Sequence, residues 1–150
     1  MRSAPSLHAQ SPALILLVDD NRHGLVARRS VFEELGYQVI SAHCGQEALA
    51  LAGQHSFDLV VTDFRMPAMD GVALIAELRN RGFVMPVILL SGFIEPLGLN
   101  THNTGADLLV QKSANEMTHL VRGAKRLLNT PKKPMGQQAK AISKRKTADQ

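Results

Sequence analysis

A chain of 150 residues has room for one domain of ordinary size, and 45% hydrophobic against 20% charged residues is the balance of a globular fold. Its single cysteine, Cys44, excludes an internal disulfide framework and fits a reducing cytoplasm, and no apolar run reaches the roughly 20 residues a membrane-spanning helix needs. The net charge of +4 is unevenly placed: from Asn129 to Gln150 six basic residues face one acid, so that segment carries +5 and the remainder −1.

Residues 1–13 lack the apolar core of a secretory signal and are expected to form a flexible leader. Leu14 to Val18 is a continuous apolar run, as expected of a strand buried on both faces of a parallel sheet. Arg22 to Leu35 follows as a predicted helix with Leu25, Phe32 and Leu35 on one face and Gly36 just past its end. Gln38 to Ala42 is a second strand, Gly45 to Ala52 a short helix, and 58–62 a third strand. Met66-Pro67 and Asp70-Gly71 punctuate a loop before a helix from about Val72 to Arg81. Val87 to Leu90 and Leu108 to Gln111 are the fourth and fifth strands. Between them, Pro96, Gly98, Asn100 and Asn103 predict a short, frayed helix or an irregular loop.

A last helix is announced by Ser113-Ala-Asn-Glu116, which has capping-box spacing, and by the stripe Met117, Leu120, Val121, Ala124, Leu127 and Leu128. The alternation of strands and helices predicts a doubly wound α/β fold over residues 14–129. Residues 130–150, rich in lysine, proline and glutamine, are expected to be a disordered basic tail.

Three acids end strand-like runs: Asp19 and Asp20 after the first, Asp63 after the third. In open parallel sheets the functional crevice lies outside the carboxyl ends of the strands, so these acids are expected to meet in one pocket. Like charges at close quarters repel unless a cation intervenes, and a hard divalent ion with oxygen ligands suits the purpose.

Taken together, Leu16-Leu-Val-Asp-Asp-Asn21, Phe57-Asp-Leu-Val-Val-Thr-Asp63, Met66-Pro-Ala-Met-Asp-Gly71, Leu90-Ser-Gly92 and Lys112 resemble the response-regulator receiver domains of bacterial two-component signalling. The resemblance covers about 115 residues and implies a flavodoxin-like three-layer sandwich whose five-stranded sheet has order 2-1-3-4-5, an order for which a chemotaxis receiver is a standard example. It implies Asp63 as acceptor of a phosphoryl group from a sensor histidine kinase or a phosphotransfer protein. It implies Mg²⁺ held by Asp19, Asp20, Asp63 and the backbone carbonyl of Arg65. Ser91 would donate its hydroxyl to the phosphoryl group and Lys112 would set an ammonium against it.

Two positions depart from the family's pattern. Ser113 stands where proline usually follows the site lysine; without proline a trans bond or a slightly shifted Lys112 is expected, with the serine as the last helix's cap. Leu109 stands where an aromatic usually reports activation, so output through ordering of the 95–105 segment is expected instead. Arg65 and Phe93 are expected to flank the pocket.

These readings predict a stand-alone receiver that signals by protein–protein contact, with self-modification its only chemistry and its downstream target and homodimerisation left open. The alternatives are a receiver-like interaction module that no longer switches and a nucleic-acid binder working through its basic tail. The tail has no aromatic residue to stack bases, which counts against the latter.

Overall fold

The computed structural model describes residues 11–129, so the expected basic tail and all but the end of the expected leader lie outside the described residues. Five parallel strands form one sheet in the order β2-β1-β3-β4-β5. They are β1 Leu14–Val18, β2 Gln38–Ala42, β3 Leu59–Asp63, β4 Val87–Ser91 and β5 Leu108–Gln111. The helices are α1 Arg22–Glu34, α2 Gly45–Ala52, α3 Gly71–Asn80, α4 Ile94–Leu97, α5 Thr101–Thr104 and α6 Glu116–Asn129. The doubly wound α/β architecture and its strand order are those the motifs implied.

Alternating side chains on each strand feed two separate cores. Ile15, Leu17, Leu59, Val61, Ile88 and Leu90 face the side where Leu25 and Phe32 of α1 meet Leu120 and Ala124 of α6. Leu16, Val18, Val60 and Leu89 face the other, against Ala48 and Leu49 of α2 and Leu74, Ile75 and Leu78 of α3. Residues of β1, β3 and β4 contribute to both cores, so their sequences are near-continuously apolar.

Four local expectations are refined. β3 runs one residue further than expected, so Asp63 is itself a strand residue. Leu35 is not on the buried stripe: it is the C-cap of α1 and 43% exposed. The segment after β4 is two single-turn helices, α4 and α5, each closed by a glycine in the left-handed region, Gly98 and Gly105. Asn100 and Asn103 cap α5 reciprocally.

Ser113 does not cap the last helix. Its Oγ accepts from the Asn115 N–H at 3.2 Å, forming a local turn, and α6 begins only at Glu116. The other half of the expected box is missing because the Glu116 carboxylate is held by Arg28 of α1. The Lys112–Ser113 peptide is trans.

Candidate functional site

Parallel register carries four residues to one end of the sheet. Val18 pairs with Thr62, Asp63 with Leu90 and Ser91 with Gln111, so Asp19, Asp63, Ser91 and Lys112 all fall at or just past the carboxyl ends of adjacent strands. Asp19, Asp63 and Ser91 are buried, whereas Asp20 is exposed. One carboxylate oxygen from each of Asp19, Asp20 and Asp63 lies within 4.8 Å of the other two.

Two buried or half-buried cations make this crowding tolerable. The Lys112 ammonium, reaching back from the end of β5, contacts Oδ1 of Asp63. The Arg28 guanidinium, from the inner face of α1, donates through Nη1 to Oδ2 of Asp19 at 2.7 Å and through Nε to Oε2 of Glu116 at 2.7 Å. Burial works against the Arg28 charge, but hydrogen bonds to Glu116 and Asp19 outweigh it and raise its pKa above the usual arginine value. Burial pushes the Asp63 carboxyl up, with Lys112 pulling it down and the neighbouring Asp19 adding to the rise.

Arg28 and Glu116 are the members of this constellation that motif reasoning missed. A signal existed: Leu25, Arg28 and Phe32 follow one another at helical spacing, and all three are buried. An arginine on an otherwise apolar stripe is almost never fully buried without a partner.

The loop from Phe64 to Asp70 forms the pocket's rim. The Gly71 N–H donates to the Phe64 carbonyl at 2.8 Å, Asp70 caps α3 through the Ala73 N–H, and Ala68 sits at a φ of 68°. A Cβ on Gly71 would lie 2.5 Å from the Asp63 carbonyl oxygen, so only glycine allows the chain to return this close to the acid. A cavity of about 450 Å³ opens beside the cluster, lined by Asp20, Phe64, Arg65, Met66, Pro67 and Asp70. It reaches Asp20 and not Asp63, so it is the approach to the site rather than its centre.

The Arg65 guanidinium stacks over the Phe93 ring, 5.1 Å from the centroid, joining the rim to the loop after β4. The Ser91 Oγ accepts the Phe93 N–H at 3.1 Å, which leaves its proton available to an acceptor entering the pocket. Leu109, half-buried, packs against the core on the α2–α3 side.

The donor set suits a hard cation. All three side chains offer carboxylate oxygens, Asp20 is exposed to receive an ion, and a divalent charge offsets repulsion that Lys112 and Arg28 only partly cancel. No helix among the described residues is long and apolar enough to cross a membrane.

Comparison with known proteins agrees with this arrangement. The family described as response regulator receiver domain matches residues 15–122. The chain is 42% identical over 65 residues to the virulence sensor protein BvgS of Bordetella pertussis, a match covering 43% of this chain and 5% of that one. It is 39% identical over 83 residues to the transcriptional regulatory protein GlrR of Escherichia coli, covering 55% of this chain and 19% of the other. The chain thus spans a small part of these curated relatives. Response regulator TrrA from Thermotoga maritima, solved in complex with Mg²⁺ and BeF, superposes with a TM-score of 0.68 at 30% identity over 77% of this chain and 98% of TrrA. With its strand order, its carboxylate pocket and a family match across both, this chain belongs to the response regulator receiver domains of two-component systems.

Proposed function

We propose that Asp63 accepts a phosphoryl group from a phosphohistidine on a sensor histidine kinase or phosphotransfer protein, in a Mg²⁺-dependent step, and that the modified domain signals by protein–protein contact. The observation that carries this reading is the contact of Lys112 with the strand-end carboxylate Asp63, inside a cluster of three acids able to share one cation.

An Oδ of Asp63 attacks phosphorus in line with the P–N bond of the donor. That bond breaks, its electron pair returns to the imidazole, and the product is an acyl phosphate. Alignment and charge neutralisation are nearly all that such a transfer asks of a protein. Lys112 gives up Asp63 and places its ammonium against the incoming phosphoryl oxygens; a compact charge on a long stem suits that move. Ser91 turns its hydroxyl proton to another of those oxygens. Asp19, Asp20, Asp63 and the Arg65 carbonyl would hold Mg²⁺, which when bound would supply the remaining neutralisation.

Phosphorylation exchanges one negative charge for roughly two and adds strong acceptors. Ser91 donates to the new group while its Oγ still holds the Phe93 N–H, so the first segment to respond is Phe93–Gly105, containing the single-turn helices α4 and α5. With leucine at 109, ordering of this segment takes the place of an aromatic switch.

The test is incubation of the protein with Mg²⁺ and acetyl phosphate, followed by intact-mass measurement. A gain of one phosphoryl group that is absent in Asp63→Asn supports the assignment; no gain in wild type rejects it.

A further inference from the structure

Receiver chemistry accounts for Asp19, Asp20, Asp63, Ser91 and Lys112, but gives no role to the buried arginine that holds one of these acids. Arg28 is 6% exposed and has three of its features set by neighbours. Nη1 is bound to Asp19, Nε is bound to Glu116, and Gly24, one turn earlier on α1, leaves the space the pair needs. A Cβ at Gly24 would lie 3.0 Å from Arg28 Nη1 and 3.2 Å from Asp19 Oδ2. Gly24 lies in the first turn of α1, its N–H donating to the Asn21 cap, and its lack of a side chain leaves room for that close approach.

The second oxygen of Asp19 is also engaged, accepting the Asn21 N–H at 2.9 Å. Asp19 therefore meets any incoming metal with one oxygen on a backbone donor and the other on a guanidinium. A divalent ion must draw on a carboxylate whose charge Arg28 already offsets, and it must do so beside a fixed positive charge.

We propose that Arg28 is a resident counter-cation of the acidic pocket, shared between Asp19 and Glu116, which weakens the pocket's hold on divalent metal and in doing so keeps the metal-free fold intact. This rests on the reading that the pocket takes Mg²⁺. Arg28 acts through Asp19 and is a positioning residue. Glu116 sets how much of its charge bears on the pocket: an ionised glutamate draws the guanidinium's field toward the start of α6, and a neutral residue there releases that field onto Asp19. Coupling between sites is reciprocal, so occupation of the pocket by metal shifts Arg28 from Asp19 toward Glu116.

The proposal makes opposite predictions for the two ends of the bridge. Direct calorimetric titration with Mg²⁺ alone should show Arg28→Met, which keeps an unbranched side chain without the charge, binding about tenfold more tightly than wild type, because Asp19 loses the cation that offsets it. Glu116→Gln, a partly exposed position at the start of a helix, should bind about threefold more weakly. A merely structural role for the bridge would move both variants in the same direction. Unchanged or weaker binding in Arg28→Met overturns the proposal. If that variant fails to fold, unchanged or tighter binding in Glu116→Gln overturns it equally. Absence of Mg²⁺ binding in wild type overturns the metal reading along with it, whereas wild-type binding with no opposed shifts defeats this inference alone.

Discussion

Lys112 and Asp63 stand two strands apart in sequence order, at the ends of β5 and β3, yet the ammonium of one rests on a carboxylate oxygen of the other. β4 lies between them, and the Lys112 N–H donates to the Ser91 carbonyl at 2.9 Å, which fixes where the lysine stem begins. The side chain must then cross the strand end to reach the acid. In this arrangement the lysine compensates a buried carboxylate, and under the proposed function the same ammonium would compensate a phosphoryl group after reaction.

Lys112→Ala removes that compensation. The rate of phosphorylation by acetyl phosphate should fall about a hundredfold, the usual size for losing one charge stabiliser from a reaction site. Circular dichroism should still report a folded protein. An undiminished rate would place the lysine outside the chemistry.

Asp63 should make stability depend on pH in a definite direction. Burial raises its pKa above the ordinary 3.8 despite the pull of Lys112. Its contribution is therefore fully present below 3.8 and is lost as pH rises through the higher folded-state value. In chelator at neutral pH, Asp63→Asn should melt higher than wild type. The gap should narrow as the solution is acidified, and Mg²⁺ should narrow it at neutral pH by stabilising wild type alone. Thermal melts across pH check both trends.

Gly71→Ala tests the geometry of the rim. The added methyl would meet the Asp63 carbonyl oxygen at 2.5 Å and Leu89 Cδ1 at 2.6 Å, one a backbone atom with nowhere to move. Overpacking of this kind costs about 2 kcal/mol. A melting temperature lowered by about 8 °C is expected, with slower phosphorylation in the folded fraction.

Arg65, which lines the pocket, stacks over Phe93 on its outer side, an interaction of about 0.5–1 kcal/mol at an exposed site. Phe93→Ala should open that side to water and shorten the life of the aspartyl phosphate roughly threefold, a loss of barrier comparable to the stacking energy. Following the decay of the phosphorylated mass after donor removal measures it directly. A longer lifetime would show that the pair admits water rather than excluding it.

Most of the fold was legible because β1, β3, β4 and β5 are short, mostly apolar runs closed by charged or small residues, a pattern with few alternatives. The site was legible for the same reason: Asp19, Asp63, Ser91 and Lys112 stand where strands end, and parallel register brings strand ends together. What escaped depends on contacts between elements distant in sequence. Ser113 and Glu116 have the spacing of a capping box, but an arginine 88 positions before Glu116 takes its carboxylate, and a tertiary ion pair overrides the local motif. Leu35 fits the helical stripe of α1, yet the helix stops before it can be buried. The 95–105 segment could be read only as weak. Its two helical turns depend on left-handed glycines and a reciprocal asparagine cap, and each is too short to leave a periodic signal.

The central claim is that Asp63 is the phosphoacceptor of a metal-dependent transfer. Borohydride reduces an aspartyl phosphate to homoserine, so trapping after exposure to acetyl phosphate, followed by peptide mass mapping, locates the modified residue. Homoserine at position 63, formed with Mg²⁺ and lost with chelator, is the predicted result. Modification at any other carboxylate, or at position 63 regardless of chelator, would contradict it.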